Sequence, residues 1–236
     1  MKKPSLVLAL LLFAACAIVG YLVASRSNPT ATSAASSSVA NQATAMAAAQ
    51  QNFLLVQVDD LTQSSPKLVQ VWIVLTYYSN PPQVMFIPLY PSYDGSQNST
   101  IAEAFTLTSA GSVSERFISK IAELYKVEVD GAIMTDAAGY NGFANWFGIS
   151  NIQVSTAPAG SDDEKHALLL NSQTFFQNVC GQLTTGNAAG QFESIQWSQL
   201  IPGHFNTNLS FEVLMASWDR VIRSEAPQVC KVLSTE

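Results

Sequence analysis

Asn52-Phe53-Leu54-Leu55-Val56-Gln57-Val58-Asp59-Asp60, followed by Leu68-Val69-Gln70-Val71-Trp72-Ile73-Val74-Leu75-Thr76 and by Gln83-Val84-Met85-Phe86-Ile87, is the stretch whose reading decides the fold. Each run is short, rich in β-branched and aromatic residues, and bounded by polar or proline-containing segments, so each reads as a strand. The middle run puts Val69, Val71, Ile73 and Leu75 on one face and Trp72 and Val74 on the other. A strand apolar on both faces belongs to a sheet covered on both sides. Ser79-Asn80-Pro81-Pro82 supplies turn chemistry between the second and third runs, which predicts a hairpin.

Beyond the hairpin, residues 88–111 are rich in Pro, Ser, Gly, Asn and Thr and read as a long irregular stretch. From Ser112 the apolar period changes: Val113, Phe117, Ile121, Leu124 and Tyr125 recur at three- and four-residue steps and predict a helix ending near Lys126. Gly131 to Thr135 reads as a strand, Ala137 to Phe147 as a helix closed by Gly148, and Ile152 to Ser155 as one more short strand. Asp162 to Leu183 reads as a helix with Leu169, Phe176, Val179 and Leu183 inward and a break allowed at Asn171-Ser172. Ser210 starts a last helix with the stripe Phe211, Leu214, Met215, Trp218 and Ile222. Strands alternating with helices imply a layered α/β domain.

Only 12% of the 236 residues are Asp, Glu, Lys or Arg, and the net charge is -6. Gripping nucleic acid requires clustered Lys and Arg that displace counterions, so nucleic acid is excluded as a partner. At the amino end, Lys2-Lys3 precede an uncharged run from Ser5 to Ala24. About 20 apolar residues at roughly 1.5 Å each span a bilayer as a helix, and the lysines keep the amino end inside. Residues 1–26 are therefore expected to be a membrane anchor that places the rest outside the cytoplasm. The weaker alternatives are a lipoprotein signal ending at Cys16, because Phe13-Ala14-Ala15-Cys16 resembles a lipobox, and a cleaved signal. Residues 27–51, rich in Ala, Ser and Thr, read as a flexible linker, and 52–236 as one domain. Cys180 and Cys230 are the two cysteines of the exported part and are expected to be bridged, with a pair of buried thiols as the alternative.

The order of these segments over residues 52 to 225 resembles the LytR-CpsA-Psr family. That resemblance implies a three-layer α/β/α domain with a central mixed sheet, and an activity that moves polyprenyl-pyrophosphate-linked glycopolymers to the cell wall. The family's first strand ends in Asp-x-Arg; Asp59 is retained and Leu61 stands at the arginine. Its second strand begins Arg-Ser-Asp-Thr, aligned here with Leu68-Val69-Gln70-Val71. Its third ends Ile-Pro-Arg-Asp, aligned with Ile87-Pro88-Leu89-Tyr90, and Lys-Ile-Asn-x-Ala-Tyr becomes Thr100-Ile101-Ala102-Glu103-Ala104-Phe105. Ser172-Gln173-Thr174-Phe175-Phe176 sits at the family's arginine-bearing helix, and Asn206 to Ser210 matches the Thr-Asn-Leu-Ser before its last helix.

Handling a pyrophosphate requires cations with bidentate donors, and Leu61, Leu68 and Leu89 offer neither. Losing one such donor costs on the order of 10² to 10³ in rate. The arginines present, Arg26, Arg116, Arg220 and Arg223, lie at none of the motif positions. The expectation is a catalytically silent relative, a pseudoenzyme acting as a binding or assembly component for cell-envelope glycopolymer. An active phosphotransferase, with Arg116, Arg220 or Arg223 folded back toward Asp59, is one alternative. A structural or protein-interaction module without a lipid site, its cavity filled by Leu89, Phe105 and Trp72, is another. Asp59 and Asp60 are the candidate remnant of a ligand or Mg²⁺ site, the metal being implied by the resemblance, and a loop-capping role is the competing reading. Trp72, Phe86, Tyr90 and Phe105 are the candidate groove for a polyprenyl-phosphate lipid, against ordinary core packing. Ser64 or Ser92 as a nucleophile lacks a base placed nearby in sequence, and neither His166 nor His204 has a metal-ligand partner at short spacing.

Overall fold

The computed structural model describes residues 49–150, 154–185, 203–222 and 229–233. The anchor of residues 1–26 and nearly all of the linker lie outside the described residues, as do Arg223 and residues 151–153. Among the described residues no helix is long and apolar enough to cross a membrane.

Six strands form one mixed sheet: β1 (Gln50–Val58), β2 (Leu68–Tyr77), β3 (Gln83–Tyr90), β4 (Gly131–Thr135), β5 (Phe205–Thr207) and β6 (Val229–Val232), in the order β5-β4-β1-β2-β3-β6. β1, β2 and β3 are an antiparallel meander, with Leu54 opposite Ile73 and Ile73 opposite Ile87. β4 adds parallel to β1, β6 parallel to β3, and β5 antiparallel to β4. Five helices are described: α1 (Asn98–Ala104), α2 (Glu115–Tyr125), α3 (Ala137–Trp146), α4 (Asp162–Thr184) and α5 (Phe211–Ile222).

Strand alternation sorts the core into two slabs. Leu54, Val56, Val71, Ile73, Ala132 and Met134 pack on Ile101 of α1 and on Phe117 and Ile121 of α2. On the opposite face Trp72, Val74, Val84 and Phe86 meet Tyr140 of α3, Phe175, Phe176 and Val179 of α4 and Val221 of α5. The sheet is therefore covered on both faces, as the two-sided pattern of β2 requires. Cys180 of α4 and Cys230 of β6 are bonded, with Cα atoms 5.2 Å apart, so the edge strand is stapled to the helical layer.

Several boundaries differ from the sequence expectation. Gln50 and Gln51, assigned to the linker, are the first residues of β1; Gln51 is fully buried and its Oε1 accepts from Tyr78 (2.6 Å) and Ser217 (2.7 Å). The stretch 88–111 is not irregular throughout, because β3 continues to Tyr90 and the short helix α1 buries Ile101. A single apolar anchor in a polar seven-residue helix leaves no periodic signal to read. α4 runs unbroken through Asn171-Ser172, since the Ser172 hydroxyl satisfies itself on the Leu168 carbonyl (2.9 Å) and on the buried Gln70. Val154 and Ser155 carry no strand. On α5, Phe211 is 54% exposed, and the buried positions are Val213, Ser217 and Val221.

Candidate functional site

The helical layer formed by α3, α4 and α5 does not seal the sheet. Between them lies a cavity of about 220 Å³, floored by side chains such as Phe53, Leu55, Phe86 and Ile133 and roofed by aromatic residues of the helices, including Phe143, Trp146 and Phe176. Among the described residues no Asp, Glu, Lys, Arg or His lines it. Its lining runs from Thr135, paired with Gln57 of β1, to Thr76, paired with Gln51. Six residues of strand separate those rungs, about 20 Å, so the cavity is long and narrow along the strand direction.

Two hydroxyls mark its two ends. Tyr78 bonds to Gln51, and the Arg220 guanidinium lies over the Tyr78 ring at 3.5 Å from its centroid. Burial raises the Tyr78 phenol above its usual value, against the opposing Ser217 contact and the Arg220 charge. Tyr140, one turn into α3, is 7% exposed, and its hydroxyl has no hydrogen-bond partner among the described residues. Burial alone raises its pKa, so it stays a neutral phenol whose O–H can donate a hydrogen bond.

Beside the β1 terminus a second arrangement is wholly polar but closed on itself. Gln57 and Gln70 are both buried; Gln70 donates to Gln57 Oε1, receives Trp72 Nε1–H at 3.0 Å and meets the Ser172 hydroxyl, while Gln57 donates to the Ser155 carbonyl at 2.7 Å. The Asp59 carboxylate accepts from the Lys67 amide at 2.7 Å and from the Asp60 amide at 2.8 Å. Asp60 accepts from Thr62 and Gln63, and the Thr62 hydroxyl first of all holds its carboxyl below the usual range. Both carboxylates therefore organise the β1–β2 loop. No cluster of three or more His, Cys, Asp or Glu able to hold a metal occurs among the described residues. With Asp59 Oδ1 and both Asp60 oxygens engaged in the loop's own hydrogen bonds, the pair fits a loop-capping role better than an Mg²⁺ site, which favours open carboxylate oxygens.

Asp136 is the residue that sequence reasoning missed. It is 3% exposed, caps α3 through Ala138 and Gly139 amides at 3.0 Å each, receives the Leu61 amide at 3.3 Å and pairs with His204 Nδ1 at 2.7 Å. The signal was an Asp directly before a helical run. His204 had no such signal, because its partner lies 68 residues away. Four contacts leave the Asp136 carboxylate no capacity for a substrate, so it clamps the β1 loop, α3 and the segment before β5 together.

The four aromatic groove candidates are not brought together. Phe86 lines the cavity and Trp72 packs beside it on the same face, whereas Tyr90 and Phe105 pack with the α1–α2 slab, Phe105 edge-on to Phe117 at 5.4 Å. A register shift between Val71 and Trp72, which breaks the alternation of β3 just before Tyr90, and the crossover to α1 send them to the other side. Ser92 is held in a turn by Asp94 and Asn98. His166 lies edge-on to Tyr93 at 5.7 Å. Arg116 is exposed on α2, and Arg220 lies beside the end of β2 that pairs with the start of β1, about 26 Å of strand from Asp59.

No family model and no curated protein matches the chain. Solved structures do. One described as TagT bound to LIIa-WTA aligns over 80% of this chain and 79% of its own, with a TM-score of 0.51 and 9% identity. A protein of Eubacterium siraeum described as a transcription regulator aligns over 78% and 81%, with a TM-score of 0.52 and 11% identity. TagT is elsewhere described as a LytR-CPS2A-psr family protein, in a structure with octaprenyl pyrophosphate that aligns at 0.48 and 11% identity over 80% of this chain and 78% of its own.

The chain has the LytR-CpsA-Psr fold.

The three leucines that the resemblance sets against the family's arginines are in apolar packing. Leu68 and Leu89 are 6% and 1% exposed, and Leu61 packs against the same slab. Gln70, which the resemblance sets against an aspartate, and Ser172, midway along α4, bond to each other. The scaffold is closed beside the end of β1 by neutral amides and hydroxyls.

Proposed function

We propose that this chain is a membrane-tethered, extracytoplasmic member of the LytR-CpsA-Psr family that binds the hydrocarbon part of an envelope lipid and transfers nothing. In cell-envelope glycopolymer processing it acts as a binding or assembly component. The observation that carries the reading is the long apolar cavity between the sheet and α3, α4 and α5, left open in a core otherwise filled on both faces. Interiors are close-packed, and an apolar void of this size is a ligand site in waiting: a cavity of roughly 150 Å³ already takes a benzene-sized molecule. Leu89 and Phe105, which would have filled a purely structural module, lie in the opposite slab.

Absence of transfer follows from the closed motif end. Phosphoryl and pyrophosphoryl transfer is driven by cations aimed at the charge that moves. Here Asp59, Asp60 and Asp136 are engaged by the protein's own amides, and Arg116 and Arg220 are far from them or turned to solvent. The test is twofold. Full chain extracted from membranes is expected to carry a long-chain lipid in native mass spectrometry and to leave a polyprenyl-pyrophosphate glycan unchanged when wall acceptor is supplied. Turnover of that donor would overturn the non-catalytic reading; lipid-free protein that takes up no lipid would overturn the binding reading.

A further inference from the structure

The Tyr140 hydroxyl is a buried polar group of the cavity lining that nothing among the described residues satisfies, and its O–H can donate. Tyr140 lines the cavity, its ring rests against Phe175 at 4.9 Å between centroids, and its buried hydroxyl is without a partner. A buried phenol left unmade is a standing cost in the empty protein, and a single acceptor oxygen delivered by a ligand removes it. A charged headgroup would bring no such gain at that end. Among the described residues the lining carries no ionisable cation, and an unpaired charge in apolar surroundings is far costlier than an orphaned hydroxyl.

We propose that the cavity takes a neutral lipid, a long-chain alcohol, whose single uncharged oxygen accepts a hydrogen bond from the Tyr140 hydroxyl while its chain lies along β1 toward Tyr78. The inference rests on the lipid-binding reading above and adds what the polar end of the ligand is and where it sits. The channel's length along the strands suits one extended chain, with the oxygen at the Thr135 and Tyr140 end. The cation nearest the cavity, Arg220, stacks on Tyr78 at the opposite end, so the two ends offer different chemistry to a ligand.

Three probes sharing one chain separate the terms: dodecane, dodecanol and dodecyl phosphate. Titrated into the full chain held in amphipol, each is read by the fluorescence of Trp146 and Trp218, which line the cavity. Dodecanol is expected to bind about tenfold more tightly than dodecane, the equivalent of one hydrogen bond, and dodecyl phosphate more weakly than dodecanol. In Tyr140→Phe the advantage of dodecanol over dodecane is expected to vanish, while dodecane affinity is kept. That variant removes only an unsatisfied oxygen, so it folds, and its unliganded melting temperature is expected to equal or exceed the parent's. Equal binding of alkane and alcohol by the parent, or an alcohol preference that survives Tyr140→Phe, overturns this inference and leaves the lipid-binding reading standing. Tightest binding by dodecyl phosphate places the headgroup with Arg220 and also overturns it. Failure of all three to bind overturns the lipid-binding reading itself.

Discussion

Leu89 stands where the resemblance expects an arginine, and it is 1% exposed in a slab of aliphatic side chains. A guanidinium at that position would be buried without a carboxylate, which costs several kcal/mol even after relaxation. Leu89→Arg is therefore expected to unfold the domain rather than to restore transfer, as a collapsed urea midpoint would show; a stable, active variant would contradict the packing account. Gln70 makes the complementary case, since its side chain serves Gln57, Trp72 and Ser172 at once. Gln70→Leu strands those partners and is expected to lower stability by about 1–3 kcal/mol in denaturant titration. Asp130 gives a pH signature. Burial pushes its carboxyl above the usual range, opposed by the Asn52 amide at 2.7 Å and reinforced by the Glu128 charge. A carboxyl raised in the folded state holds more protons there than in the unfolded chain. Its contribution is present below the unfolded value, near 3.8, and is lost as pH rises through the folded one. Asp130→Asn keeps an acceptor for the Asn52 amide. Its melting temperature relative to the parent is expected to climb from about pH 4 upward and then level off, and a pH-independent difference would refute the assignment.

At the scale of elements, two junctions hold the helical layer to the sheet. The first is the disulfide between α4 and β6, which closes a loop with a sequence separation of 50. Removing it by Cys180→Ala with Cys230→Ala releases unfolded-state entropy worth about 4 kcal/mol on the chain-entropy account. A matching drop in the denaturant-derived stability is expected, and the parent treated with reductant is expected to behave likewise. The second is the turn from β4 into α3. Gly139 admits the Thr135 hydroxyl and the His204 carbonyl so closely that a Cβ would collide with both. Gly139→Ala is expected to destabilise by about 1–3 kcal/mol through overpacking, despite alanine's better helix propensity. A stabilised variant, judged by urea unfolding, would show that this junction yields.

For the molecule as a whole, the described residues leave an apolar cavity along the strands on one face of the sheet and close the end of β1 with leucine, glutamine and serine side chains. Strand and helix identities were legible because they rest on local periodicity: alternation in β2, the three- and four-residue step in α2, the apolar face of α4. Likewise, the pairing of Cys180 with Cys230 could be expected because they are the two cysteines beyond the amino-terminal segment. Which aromatic side chains share a space could not. Phe86 and Tyr90 sit on one strand yet end in different slabs, because a register shift between Val71 and Trp72 interrupts the regular alternation of β3 against β2, and α1 folds back on the far side. The Asp136–His204 pair, the Gln57–Gln70–Ser172 chain of amides and hydroxyl, and the unsatisfied Tyr140 oxygen join residues or surfaces dozens of positions apart. Sequence determined the elements and their chemical content through short-range pattern; only the tertiary packing, which sets long-range neighbours, decided which side chains surround the apolar cavity.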